Sequence, residues 1–177
     1  SPGAPICDVV ADYLRAEHGI KLGVVNLTMF RPFPGDLIGE LMRGRKGVAV
    51  LERTDQPLAE DLPLIREIRA TVSKCVENGL AQKGSEPYAG YARFDKPGDA
   101  PPLYSSCFGM GSRDLQPEAI VGAIENMLPE GPKKKFFYLS IDFIHDKASS
   151  PKNRASMSST TAPRRSRSAS PQRRRVI

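Results

Sequence analysis

Two near-continuous apolar runs, KLGVVNLTMF at 21–30 and GVAVLE at 47–52, are each followed by a proline-bearing turn and then by an amphipathic stretch. Runs of this length suit strands covered on both faces, as in a parallel sheet. Residues 103–108 (LYSSCF) predict a third strand and are followed by the turn 109–114. The stretches between repeat apolar residues every three or four positions, the helical period. They predict a helix at 35–43, a long helix at about 58–78 ended by Gly79, and a helix at 115–128 with Pro117 in its first turn. Residues 136–143 alternate, with Phe137, Leu139, Ile141 and Phe143 on one side, which predicts an edge strand. Strands alternating with helices predict a three-layer α/β/α fold with a mainly parallel sheet and right-handed crossovers.

The series opens irregularly. Residues 4–17 predict a helix with Ile6, Val10, Tyr13 and Leu14 on one face and Gly19 after it, yet no strand precedes it. Ser1-Pro2-Gly3 reads as the turn that would follow such a strand. The expectation is a fragment lacking the first strand of its fold, cut just inside its first βα unit. A sheet without an interior strand leaves its neighbours' backbone groups unpaired, so a marginal, aggregation-prone product is expected.

Charge divides the 177 residues in two. The net charge is +6, but nine of the 26 Lys/Arg and none of the 20 Asp/Glu fall in 147–177. Residues 1–146 therefore carry 17 basic against 20 acidic groups, a net of −3, and the body is not a nucleic-acid binder by charge. Residues 1–146 read as one domain with an irregular excursion at 80–102. Residues 147–177, rich in Arg, Ser, Pro and Thr, read as a disordered basic tail. Nucleic acid enters only through that tail, whose Arg164–Pro171 stretch is Arg/Ser-rich; an accidental tail is the simpler reading. No apolar run approaches the 18 or so residues of a membrane span. Cys7, Cys75 and Cys107 are odd in number, widely spaced and without a CxxC, which suits reduced thiols in a cytoplasm rather than a disulfide, zinc or iron–sulfur framework.

No catalytic set emerges from the residues. Cys107 reads as a small buried hydrophobe, His18 as a helix C-terminal residue, and His145 with Asp142 and Asp146 as a weak metal candidate. What remains are strand ends, where open parallel sheets bind ligands. Arg31-Pro32-Phe33 follows the first run: either a rigid arginine aimed at an anion or a neighbouring domain, or a loop whose phenylalanine plugs the core. Arg53 closes the next strand, where it either reaches a partner or pairs locally with Glu52 or Asp55. Gly109, Gly111, Ser112 and Arg113 make the turn after the third strand, either a phosphate cradle before the helix at 115–128 or an ordinary βα turn.

Three of these stretches, MFRPFP at 29–34, VAVLERTDQP at 48–57 and FGMGSRDLQP at 108–117, occur in an order that is informative together. The chain resembles the transketolase C-terminal-like domain of pyruvate:ferredoxin (flavodoxin) oxidoreductases and related 2-oxoacid:acceptor oxidoreductases, whose corresponding stretches read like yRPFP, aVLDRTkEP and GLGSKDfxP. The resemblance covers about residues 1–146 and implies part of an enzyme that oxidatively decarboxylates pyruvate or a related 2-oxoacid to acyl-CoA. It implies thiamine diphosphate, coenzyme A and iron–sulfur clusters for the whole enzyme, all on other domains, and ferredoxin or flavodoxin as acceptor. This domain would then serve as scaffold and interface, with no catalytic, cofactor-binding or metal residue of its own, and would be inactive alone. Its partners would be the enzyme's other domains or subunits. The competing expectation is a non-enzymatic α/β module that presents a basic arm to nucleic acid or acidic partners. A weaker third is a small-molecule binder at the Arg31, Arg53 and Gly109 strand ends.

Overall fold

The computed structural model describes residues 4–141. The basic tail and the His145 cluster lie outside that range. The chain forms α1 (Ala4–His18), α2 (Gly35–Met42), β1 (Val48–Glu52), α3 (Pro63–Leu80), β2 (Leu103–Cys107), a single 3₁₀ turn (Met110–Ser112), α4 (Pro117–Glu125) and β3 (Phe136–Tyr138). The strands form one parallel sheet in the order β1-β2-β3. Val48 stands opposite Leu103 and Glu52 opposite Cys107, while Ser105 stands opposite Phe136.

The central strand sorts the core. All five β2 residues are buried, and strand alternation sends them to opposite faces. Tyr104, with Phe108 just beyond the strand, joins Val10 and Leu14 of α1, Ile120 and Ile124 of α4, and Phe137 of β3. Leu103 and Cys107 join Met42 of α2 and Ile65 and Ile68 of α3. This is the expected three-layer α/β/α arrangement. Full burial of side chains such as Phe137 and Ile65, both 0% exposed, contributes about 1.5–3 kcal/mol each. On the second face α2 crosses α3 through its glycines. A Cβ on Gly39 would stand 2.7 Å from Cys75 Sγ, and one on Gly35 2.6 Å from Tyr91 Oη.

Three sequence expectations are corrected. Residues 21–30 do not form a strand; they run without any ladder partner. A strand exists only through its neighbours' hydrogen bonds, and apolar composition cannot supply them. The long helix begins at Pro63 rather than near 58. A proline takes the first helical position readily, while the residue before it is pushed out of the helical region; Leu62 accordingly sits at φ −70°, ψ 162°. That helix also runs through Gly79 to Leu80.

Gly79 serves contact, not termination. A Cβ there would lie 2.0 Å from the Phe94 carbonyl oxygen and 2.9 Å from Asp95 N, both main chain. The excursion at 80–102 thus lies hard against α3, and Phe94 N–H donates to the Cys75 carbonyl at 2.9 Å. Gly79→Ala is expected to push this loop off the helix at a cost of about 3 kcal/mol, read by urea denaturation. A wild-type midpoint would refute the contact.

Candidate functional site at the strand ends

The carboxyl ends of β1 and β2 meet one structural demand first. α3 starts with Leu62 and Pro63, neither of which has a side chain able to cap the helix. Its first free N–H groups point instead at Glu52, the last residue of β1. Leu64 N–H donates to Glu52 Oε1 at 2.6 Å and Ile65 N–H to Oε2 at 3.1 Å. Glu52 is only 6% exposed. Burial raises its pKa, opposed by the two backbone hydrogen bonds and Arg66 and assisted by Asp61. Glu52 is therefore occupied as a cap and does not pair with Arg53.

Arg53 lies along the next strand's turn. Gly109 takes φ +74°, and a Cβ there would stand 2.7 Å from the Arg53 side chain. Glycine is what lets the arginine stem pass the β2 turn. These two predicted positions are brought together. Gly111 (φ +64°) and Ser112 (φ +59°) continue the turn in left-handed conformations, both exposed. Arg113 Nη1 donates to the Ser140 carbonyl at 3.3 Å. The turn does not run into α4: Arg113 to Gln116 intervene before Pro117, so no phosphate cradle opens that helix.

Arg31 is held elsewhere. It follows Phe30, stacks on that ring at 4.2 Å, precedes a cis peptide to Pro32, and donates through Nη2 to Glu67 Oε1 of α3 at 2.8 Å. Phe33 packs against the α2–α3 face of the core and meets Phe30 edge-on at 6.4 Å. Of the two readings weighed for the loop, the core-packing one describes Phe33, while the exposed Arg31 pairs with Glu67.

The remaining polar groups at this end are not primed for chemistry. Burial, reinforced by Asp55 and Glu52, pushes the Cys107 thiol up to about 11, so it is a thiol at neutral pH. Tyr138 donates its hydroxyl to Asp55 Oδ2 at 3.2 Å, and burial together with Asp55 raises its pKa. Cys7 and Cys75 are also raised, chiefly by burial. Among the described residues no group of three His, Cys, Asp or Glu side chains could hold a metal ion. The three cysteines belong to separate parts of the core, with Cys7 on the α1–α4 face, Cys107 on the α2–α3 face and Cys75 beside Phe94. They do not fit an iron–sulfur cluster. Among the described residues, one open depression lies between α1 and α4 and another is bounded by Phe30, Arg31, Pro63, Arg66, Glu67 and Ala70. No described helix is long and apolar enough to cross a membrane.

Sequence reasoning missed Glu52 as a cap and two buried asparagines. Asn78 and Asn126, both 0% exposed, each pin a returning loop. Asn126 donates to the Lys134 carbonyl at 2.9 Å and accepts from Lys134 N–H at 2.8 Å, which aims the chain into β3. The available signal was an asparagine on the apolar side of a helix near its end.

Fold and site together define an α/β/α domain on a parallel sheet, with strand ends given over to capping, packing and a few exposed arginines. Residues 4–87 match the family model described as pyruvate:ferredoxin oxidoreductase core domain II. The chain is similar to pyruvate synthase subunit PorA of Thermotoga maritima, 34% identical over 119 residues, covering 67% of this chain and 24% of that protein. It is 24% identical over 133 residues to the pyruvate:ferredoxin oxidoreductase of Moorella thermoacetica, covering 73% and 10%. It is also 24% identical over 131 residues to a probable pyruvate-flavodoxin oxidoreductase of Escherichia coli, again 73% and 10%. The chain belongs to the pyruvate:ferredoxin (flavodoxin) oxidoreductase family. It spans between a tenth and a quarter of the length of these relatives.

Proposed function

We propose that residues 1–146 act as a scaffold and interface domain of a thiamine diphosphate-dependent 2-oxoacid:ferredoxin or flavodoxin oxidoreductase, converting pyruvate or a related 2-oxoacid to acyl-CoA. The observation that carries this reading is the placement of the three ordered motifs. VAVLER forms β1 and its exit, FGMGSR forms the exit of β2, and the two exits touch through Arg53 and Gly109. RPFP packs beside them on α3 through Phe33 and Glu67. Glu52, Gly109 and Phe33 of these motifs hold helix, strand exit and core in place, which is a positioning task. Arg31, Arg53, Gly111, Ser112 and Arg113 supply the surface for the enzyme's other domains or subunits, in the cytoplasm. In this reading no step of the chemistry is routed through this domain.

The test is release of carbon dioxide from carboxyl-labelled pyruvate by the chain alone, with thiamine diphosphate, magnesium, coenzyme A and an artificial electron acceptor. The expected result is no release above the protein-free control. Turnover by the chain alone would overturn the reading. The alternative, a module with a basic arm, rests on residues 147–177 and gains no support from residues 4–141.

A further inference from the structure

The depression between α1 and α4 joins an apolar floor to a rim of one charge. It holds about 390 Å³. Leu14 and Ile20 form the floor with Val121, Ile124 and Leu128, and the Tyr13 ring, 53% exposed, stands at its mouth. His18 meets that ring edge-on at 5.6 Å. Glu118 and Glu125 line the α4 side, two helical turns or about 10 Å apart along the axis. Glu17 follows Tyr13 by one turn of α1 and is exposed. None of these three glutamates has an ion-pair partner among the described residues. No lysine or arginine lines the depression. Arg15, the arginine of α1, is committed to Asp12 and to the Leu22 carbonyl.

An apolar patch ringed by charge marks a contact surface, and here the charge selects the occupant. Carboxylates repel nucleic acid and anionic lipid. A second copy presenting the same face would set glutamate against glutamate. What fits is a basic stretch that carries aliphatic side chains, and the chain's own sequence contains one. Residues 147–177 hold nine Lys/Arg and no Asp/Glu, and 173–177 read Arg-Arg-Arg-Val-Ile. β3 delivers the chain to this face, since Phe137 and Leu139 pack with Leu14 and Ile124. The stretch between Ile141 and Arg173 can span up to about 100 Å, several times the roughly 22 Å length of α1.

We propose that residues 173–177 dock in the α1–α4 depression of their own chain, with Val176 and Ile177 on the apolar floor and the three arginines on Glu17, Glu118 and Glu125. Tethering supplies a high effective concentration, so ion pairs that are individually weak suffice. The basic arm is then occupied by the domain and is not offered to nucleic acid. The inference rests on the shape and charge of this face and is independent of the proposed function.

The experiment is methyl NMR on the full chain, with the oligomeric state followed by sedimentation. Cross-peaks are expected between the Val176 and Ile177 methyls and those of Val121 and Leu128, within a monomer. In the full-length variant Val176→Ser/Ile177→Ser the Val121 and Leu128 methyls are expected to shift, and a synthetic peptide of residues 164–177 added to it is expected to restore them. Adding Glu118→Gln/Glu125→Gln, both at exposed positions, is expected to weaken that peptide about tenfold. Glu60→Gln, ahead of α3, is expected to leave it unchanged. Absence of the cross-peaks, peptide binding indifferent to the two glutamates, or cross-peaks arising only between differently labelled copies would overturn the proposal. So would their loss on adding one equivalent of single-stranded oligodeoxythymidylate, which would assign the arm to nucleic acid.

Discussion

Glu52→Ala is expected to destabilise the domain by about 3 kcal/mol, lowering the urea midpoint with little change in slope. The substitution removes one side chain but orphans two main-chain donors, Leu64 N–H and Ile65 N–H. Both sit at the start of a helix that begins with proline and has no cap of its own. Ile65 is 0% exposed, so water cannot readily replace the carboxylate there. Glu52→Gln separates charge from shape: one amide oxygen can accept where the amide nitrogen cannot, so an intermediate loss is expected. The pH dependence follows from the raised pKa of Glu52. In the window that opens at its ordinary value of 4.5 and closes at the higher folded value, the native state binds more protons than the unfolded state. Stability therefore falls as pH rises through that window. The slope is expected to shrink in Glu52→Gln; an identical slope in both proteins would show that Glu52 is not the group responsible.

Asn78→Ala is the second large loss, about 3 kcal/mol. Asn78 Nδ2 donates to the Tyr88 and Tyr91 carbonyls at 2.8 and 3.0 Å, and Oδ1 accepts from Tyr88 N–H at 3.0 Å. Three of its four hydrogen-bonding positions are used, all on the main chain of the excursion. Around it Arg93 joins Glu86 at 2.6 Å and reaches the carbonyls of Gly79 and Ala81, while Lys74 lies over the rings of Tyr88 and Tyr91. These surface contacts are individually weak, so the asparagine carries the loop. Asn78→Asp keeps the shape but turns two donated bonds into oxygen facing oxygen, and is expected to be at least as damaging. Unchanged amide exchange at Tyr88 in either variant would contradict this account.

What could be read in the sequence was whatever depends on local pattern. The strands at Val48–Glu52 and Leu103–Cys107, the helices and the turns after the strands follow from apolar period and from proline and glycine placement, whereas Tyr13, Leu37 and Leu41, which the helical period turns inward, are exposed, the two leucines because α2 packs on α3 through Gly35 and Gly39 instead. The α/β/α layering followed from their alternation. What could not be read depends on partners far along the chain. Residues 21–30 have the composition of a buried strand and the inward–outward alternation of one over 20–25, yet lack the neighbour that would make them one. Leu58 fits the helical stripe but sits at φ +68° and fully exposed, because Pro63 sets the helix start. At the site, Arg53 and Gly109 meet as their shared strand-end position suggests, whereas Arg31 was captured by Glu67, 36 residues on. A cap reaching from Glu52 to a helix 12 residues later has no local signature.

The most direct test of the scaffold reading exchanges the matched span of 119 residues in Thermotoga maritima PorA for that of this chain and measures pyruvate-dependent reduction of an electron acceptor by the reassembled enzyme. The account predicts that activity survives within about tenfold, since the exchanged domain positions its neighbours and contributes no reacting group. Loss of activity in a chimaera that assembles and retains its clusters and cofactor would contradict it.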